Sequence, residues 1–169
     1  NALNLCSVSV FGPTDVGCGA GTWLAVCTEL GVTDVQGVDG PWVRPEQLQI
    51  PPEAFRQADL GAPLTLDRRF DLAISLEVAE HLPESSAASF VNSLVRSAPV
   101  VLFSAAIPHQ GGHHHVNEQW PEYWARLFAQ HGYVVADAIR GRVWDTPAVE
   151  PYYAQNILLF CDRAAVAAL

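Results

Sequence analysis

The sequence predicts an α/β fold: a doubly wound, mostly parallel seven-stranded sheet that ends in an antiparallel C-terminal hairpin. Three observations carry this. Short apolar runs alternate with amphipathic runs of helical period over most of the chain. A glycine-rich turn, Asp15-Val16-Gly17-Cys18-Gly19-Ala20-Gly21, joins the first strand to the first helix. The last two apolar runs are linked by a turn-rich segment with no room for a crossover helix, so they are expected to pair directly at one edge.

Taken in order, Val8-Ser9-Val10-Phe11 reads as strand one. Gly12-Pro13-Thr14 then intervene, and proline disfavours a central strand position. Either the strand stops at Phe11 or a bulge re-aims Asp15. Thr22 to Leu30 reads as a helix closed by Gly31, and Asp34 to Gly40 as a buried strand ending in the acid Asp39. Four prolines (Pro41, Pro45, Pro51, Pro52) make Trp42 to Glu53 mostly loop. Phe55 to Leu60 is the third strand. Asp71 to Glu77, nearly all apolar inside, is the fourth, covered on both faces. Glu84 to Ala98 carries a helical apolar stripe that Pro99 ends, and Val100 to Ala106 is the fifth strand. A glycine- and histidine-rich loop follows. Pro121 suits the first turn of a helix that buries Tyr123 or Trp124, Leu127 and Phe128 and stops at Gly132. Tyr133 to Ile139 and Ala154 to Cys161 complete the sheet.

Length and composition bound the rest. At 169 residues, half apolar and 16% charged, the chain is expected to form a single domain over 1–169 with a full core. No apolar run approaches the ~20 residues of a membrane span, and no basic-then-apolar leader opens it, so a cytoplasmic protein is expected. With no methionine in the chain, Asn1 is expected not to be a native start. Formal charge is −9 and every basic residue is arginine, which argues against gripping long nucleic acid. Cys6, Cys18, Cys27 and Cys161 show no C-x-x-C spacing and read as small buried thiols rather than a disulfide framework or zinc site.

The glycine turn narrows the ligand. A phosphate-cradling loop needs a lysine before Thr22, and a dinucleotide loop needs G-x-G-x-x-G; this one reads G-x-G-x-G with an acid two residues ahead. That pattern resembles the first motif of the class I S-adenosylmethionine (SAM) dependent methyltransferases, and the resemblance runs from Val8 to Phe160 without the helical segment that usually precedes strand one. It implies a Rossmann-like sheet and SAM as cofactor, held by Asp15, Gly17, Gly19 and Gly21, with Asp39 on the ribose hydroxyls. Asp59 and Leu60 would lie at the adenine, and Glu77 beside the methionine part.

A second constellation follows strand four. Glu77-Val78-Ala79-Glu80-His81 is similar to the E-x-x-E-H segment of two O-methyltransferase groups, which methylate quinone precursors and the terminal 2′-hydroxyl of small RNAs. The resemblance implies a divalent metal, Mg²⁺ or another ion, held by Glu77, Glu80, His81 and His115, the last from the loop after strand five. Carboxylate oxygens with imidazole nitrogens suit such an ion. Metal-free readings stay open: Glu80 and His81 as helix caps, or His81 or His115 as general base. His113 and His114 are expected to be solvated, and Trp120, Tyr123 and Trp124 to form either a substrate wall or core. The expected activity is O-methylation of a small hydroxylated molecule, a sugar or a phenol or catechol, with catalysis by Glu80, His81 and His115. Two alternatives remain: a catalytically degenerate SAM-binding partner module, and an NAD-linked oxidoreductase or epimerase. The latter is disfavoured by the glycine spacing and by the lack of any lysine for a Tyr-x-x-x-Lys pair.

Overall fold

The computed structural model describes residues 12–166. Seven strands form one sheet: β1 Pro13–Val16, β2 Gln36–Asp39, β3 Phe55–Gln57, β4 Leu72–Leu76, β5 Val100–Ser104, β6 Tyr133–Ala136 and β7 Leu158–Asp162. Their spatial order is β3-β2-β1-β4-β5-β7-β6. β1 to β5 pair in parallel, and β7 runs antiparallel between β5 and β6. The order turns back at β1 and β4, the position in an open α/β sheet where a crevice forms at the carboxyl ends of the strands.

Pro13 and Thr14, expected to interrupt strand one, lie within it. The apolar run Val8 to Phe11 lies outside the described residues, and the strand is Pro13–Val16, all four buried. Pro13 is its first residue, where the missing amide costs no ladder bond. Thr14, Asp15 and Val16 align with Gln36, Gly37 and Val38, while Pro13, Thr14 and Asp15 align with Leu72, Ala73 and Ile74. Asp15 is therefore a central-strand residue and not part of the turn.

Helices α1 Thr22–Glu29, α2 Ala87–Ser97 and α3 Pro121–Ala129 follow β1, β4 and β5. The segment between β6 and β7, expected to hold no helix, contains two short ones, α4 Arg140–Val143 and α5 Pro151–Asn156. Pro151 supplies the fixed φ that starts α5. A last short helix, α6 Arg163–Val166, follows β7.

Strand alternation divides the core. Ala73, Val101, Phe103, Leu158 and Phe160 point to the α2 and α3 side, where Phe90, Leu94, Trp124 and Phe128 meet them. Phe128 stacks on Phe160 with centroids 3.9 Å apart, and Phe103 packs edge-on against both. Ile74 and Leu76 face the other way and meet Ile139 and Ile157, with Leu72, Leu102 and Tyr153 beside them. Among the described residues no helix is long and apolar enough to cross a membrane.

Candidate active site

The glycine turn leaves β1 at its carboxyl end. Gly17, Gly19 and Gly21 all take left-handed backbone, with φ of 93°, 51° and 82°, which the absence of Cβ permits. Their surroundings differ. A Cβ on Gly17 would lie 2.3 Å from Val78 Cγ2 and one on Gly21 would lie 2.9 Å from Ile50 Cγ1, whereas a Cβ on Gly19 would meet nothing within 4 Å. Space at two of the glycines is thus filled by the protein's own side chains. Gly19 is where main chain faces open space.

The acids ending the strands gather on this turn. Asp39 is 5% exposed. Its Oδ2 accepts the Gly19 amide at 2.6 Å and its Oδ1 the Gly40 amide at 2.6 Å. Asp15 is buried, and desolvation, with the Asp39 charge adding to it, pushes its carboxyl up to about 8. Burial first, then the charges of Asp15 and Asp39, drive the Cys18 thiol upward as well. That makes Cys18 a poor nucleophile and leaves it a packing residue. Asp59 is exposed and its Oδ1 accepts the Gly61 amide at 2.9 Å, while Leu60 is buried in the core. Both lie past the end of β3, on the side of β2 away from β4.

Beyond β4, Glu77 takes φ 55°, a region sparsely used by non-glycine residues, and its amide donates to the Ser104 carbonyl at 3.0 Å. Gln110 Nε2 donates to its Oε2 at 3.0 Å, and Asn156 Nδ2 to its Oε1 at 3.3 Å. Asn156 also donates to Gln110 Oε1 at 2.8 Å, so β4, the loop after β5 and α5 share one polar knot. Among the described residues His109 and His114 also take positive φ, both in the loop facing Glu77 to His81.

That loop is bolted to the segment after β4 through main chain. The amides of Val116 and Asn117 donate to the Glu80 carbonyl at 2.9 and 3.0 Å. One ligand atom each from Glu80, His81 and His115 consequently lies within 4.8 Å of the other two. The two imidazoles meet edge to face, with centroids 4.9 Å apart. Glu80 is fully buried and neither carboxylate oxygen has a hydrogen-bond partner of good geometry. Desolvation, increased by the neighbouring Glu77 charge, pushes it up to about 8; the nearby amides of Glu80 and Ala106 temper that rise. Burial holds the His81 imidazole below its usual range, favouring the neutral form, and its Nδ1 lies 3.4 Å from the His114 carbonyl. Glu77 stands outside the three-residue group, its oxygens turned to Gln110 and Asn156.

The other sequence candidates separate. His113 and His114 are exposed and outside the group. Trp124 is core at 2% exposure, whereas Trp120 is 54% exposed. Sequence reasoning missed Gln110, Asn156, Glu118 and Tyr153, which packs edge-on against Trp23 at 5.7 Å. For α5 the available signal was Pro151 followed by two tyrosines.

A seven-stranded sheet with its last strand inserted antiparallel, a G-x-G-x-G turn after β1 and an acid ending β2 define the class I SAM-dependent methyltransferases. A family model described as a methyltransferase domain matches residues 14–146, and the chain belongs to that family. No curated protein matches it. Among solved structures, the small RNA methyltransferase HEN1 superposes with a TM-score of 0.70 at 21% identity over 95% of this chain. This chain spans only 24% of the HEN1 chain. The sugar N-methyltransferase KedS8 from Streptoalloteichus sp ATCC 53650 matches with a TM-score of 0.70 and 16% identity over 91% of this chain and 81% of its own. Magnesium protoporphyrin IX methyltransferase from Synechocystis PCC 6803, with bound SAH, gives 0.64 and 18% over 94% and 75%. At these identities the likeness is one of fold. Membership of a methyltransferase family removes the NAD-linked alternative.

Proposed function

We propose that residues 1–169 act as one domain, a SAM-dependent O-methyltransferase for a small hydroxylated acceptor, with Glu80, His81 and His115 holding a divalent ion beside the methyl donor. The observation that carries this reading is the three-residue group itself. Glu80, fully buried and with no hydrogen-bond partner of good geometry on either oxygen, would ionise readily only beside a cation, and two imidazoles stand within ligand distance of it. The residues fit a hard or borderline divalent cation. Such an ion, when bound, makes a nearby acceptor hydroxyl more acidic.

The chain's own residues do the rest. Gly19 gives the cofactor access to the main chain, and Asp39, held by two amides, keeps lone pairs for the ribose hydroxyls. Asp59 and Leu60 would flank the adenine and Glu77 the cationic methionine end, with Asp15 buried behind the turn. The cofactor, when bound, would supply a methyl for in-line displacement by the acceptor oxygen, which would leave the protein's residues the tasks of alignment and removal of one proton. His115 or His81 accepts that proton if no ion is used, a reading favoured by the neutral His81.

Charge supports the choice of acceptor. The chain carries −9, and Arg68, Arg56 and Arg140 are already engaged with Asp34, Asp67 and Asp137. We place the protein in the cytoplasm, in keeping with the free buried thiols Cys18, Cys27 and Cys161. The test is methyl transfer to a panel of catechols and ribosides, with chelator and with single divalent ions restored. Glu80→Gln should depress turnover ~10²-fold or more while leaving SAH affinity nearly unchanged. Activity indifferent to both chelator and Glu80→Gln would leave the histidine base. Failure to bind SAH would overturn the reading altogether.

A further inference from the structure

Glu118 follows His115 by three residues, and both oxygens of its carboxylate are engaged. Oε1 lies 3.0 Å from His115 Nδ1 and accepts the Gly111 amide at 3.1 Å, while Oε2 accepts the His109 amide at 2.9 Å. The two side chains are mostly shielded, 12% exposed for His115 and 22% for Glu118. The imidazole also rests against Gly112, where a Cβ would lie 2.2 Å from its Cε1 and Nε2 and 2.8 Å from its Nδ1. The ring is thus clamped by a carboxylate and a glycine.

An ionised carboxylate only accepts hydrogen bonds. The proton of a neutral His115 must then sit on Nδ1, and Nε2 keeps its lone pair. A ligand or base needs that free lone pair, and imidazoles that bind metals have their other nitrogen held in this way. We propose that Glu118 is a positioning residue. It holds His115 as the Nδ1–H tautomer and fixes the ring so that Nε2 serves the group formed with Glu80 and His81. This rests on the reading of His115 as a site residue, and it holds whether Nε2 binds an ion or takes a proton. Loop stapling alone would use the His109 and Gly111 amides and would not select a tautomer.

The experiment separates these roles. Long-range ¹H–¹⁵N spectra of the full chain without metal, at a pH where His115 is neutral, should show a protonated Nδ1 and an unprotonated Nε2. This needs no variant, and a predominant Nε2–H form would overturn the proposal. In Glu118→Ala, and less completely in Glu118→Asp, the tautomers should mix. Mn²⁺ titrated alone should bind ~10–100-fold more weakly to Glu118→Ala. SAH affinity should stay within twofold, showing that the cofactor cleft is intact. An unchanged His115 tautomer in Glu118→Ala would also overturn the proposal. If the tautomer is as expected but no acceptor is methylated, the proposed activity fails and the role of Glu118 stands.

Discussion

The carboxylate of Asp39 holds the amide of Gly19 at 2.6 Å, tying the end of β2 to the turn that leaves β1. The acid expected to meet the ribose therefore also shapes the one glycine of the turn that faces open space. Asp39→Ala removes both contributions, and SAH binding measured by calorimetry should weaken by ~1.5–3 kcal/mol, the range for a charge-assisted hydrogen bond. Unchanged affinity would mean that the cofactor lies elsewhere.

The three glycines of the turn should fail in different ways. Gly17→Ala drives a Cβ into Val78 on left-handed backbone, and urea unfolding should show a loss of ~2 kcal/mol or more. Gly19→Ala meets open space, so it should cost only ~1–2 kcal/mol of backbone strain while abolishing SAH binding. Equal stability losses in the two variants would contradict this account.

Gly112→Ala tests the clamp on His115 at its glycine. The new methyl group must displace the imidazole, which is cheap for the fold because a side-chain end moves, yet ruinous for the group it belongs to. Stability should fall by ~1 kcal/mol and SAH affinity should hold, while turnover drops as in His115→Ala. Full activity would show that His115 is not needed where it stands.

Asp15, with its carboxyl raised from the usual 3.8 to about 8, gives stability a direction with pH. Below 3.8 the acid is protonated in both folded and unfolded chains and no penalty arises. Between about 4 and 8 the unfolded chain ionises first, so stability falls by up to ~1.4 kcal/mol per pH unit. Asp15→Asn removes that titration. Its stability relative to wild type, measured by urea unfolding, should improve from pH 5 to pH 8. Glu80 titrates in the same direction, so some decline remains in the variant.

Generic RNA and DNA should give no anisotropy change near physiological salt, given the −9 charge and the pairing of Arg56, Arg68 and Arg140 with aspartates. A signal that weakens steeply as salt is added would point to a nucleic-acid acceptor.

The βαβ start of the fold was legible because its signals are local: period, glycine spacing, an acid at a strand end. Pro13, a residue that disfavours a central strand position, opens β1, because the first position of a strand needs no amide. The adjacency of β4 and β5 sets the loop of His115 beside Glu80 and His81, whereas Glu77, expected with them, turns to Gln110 and Asn156. What sequence could not show was who holds the holders. Asn156 reaches Glu77 across 79 positions, and Glu118 looks like any surface acid until the loop folds back on it. Nor does a glycine reveal whether a ligand or a neighbouring side chain fills the space it leaves, as Val78 and Ile50 do.

Inserting β7 between β5 and β6 also sets a timetable for folding. Both neighbours leave the ribosome before it, yet neither can pair with the other. Until residues 158–162 arrive, a nascent chain carries the bare edge of β5 and an unpartnered β6, both apt to pair with other chains. The register Val101 to Phe160 and Val135 to Phe160 then closes the sheet in one late, long-range step. Translation that stalls or terminates before Leu158 should therefore yield aggregate rather than a smaller working enzyme.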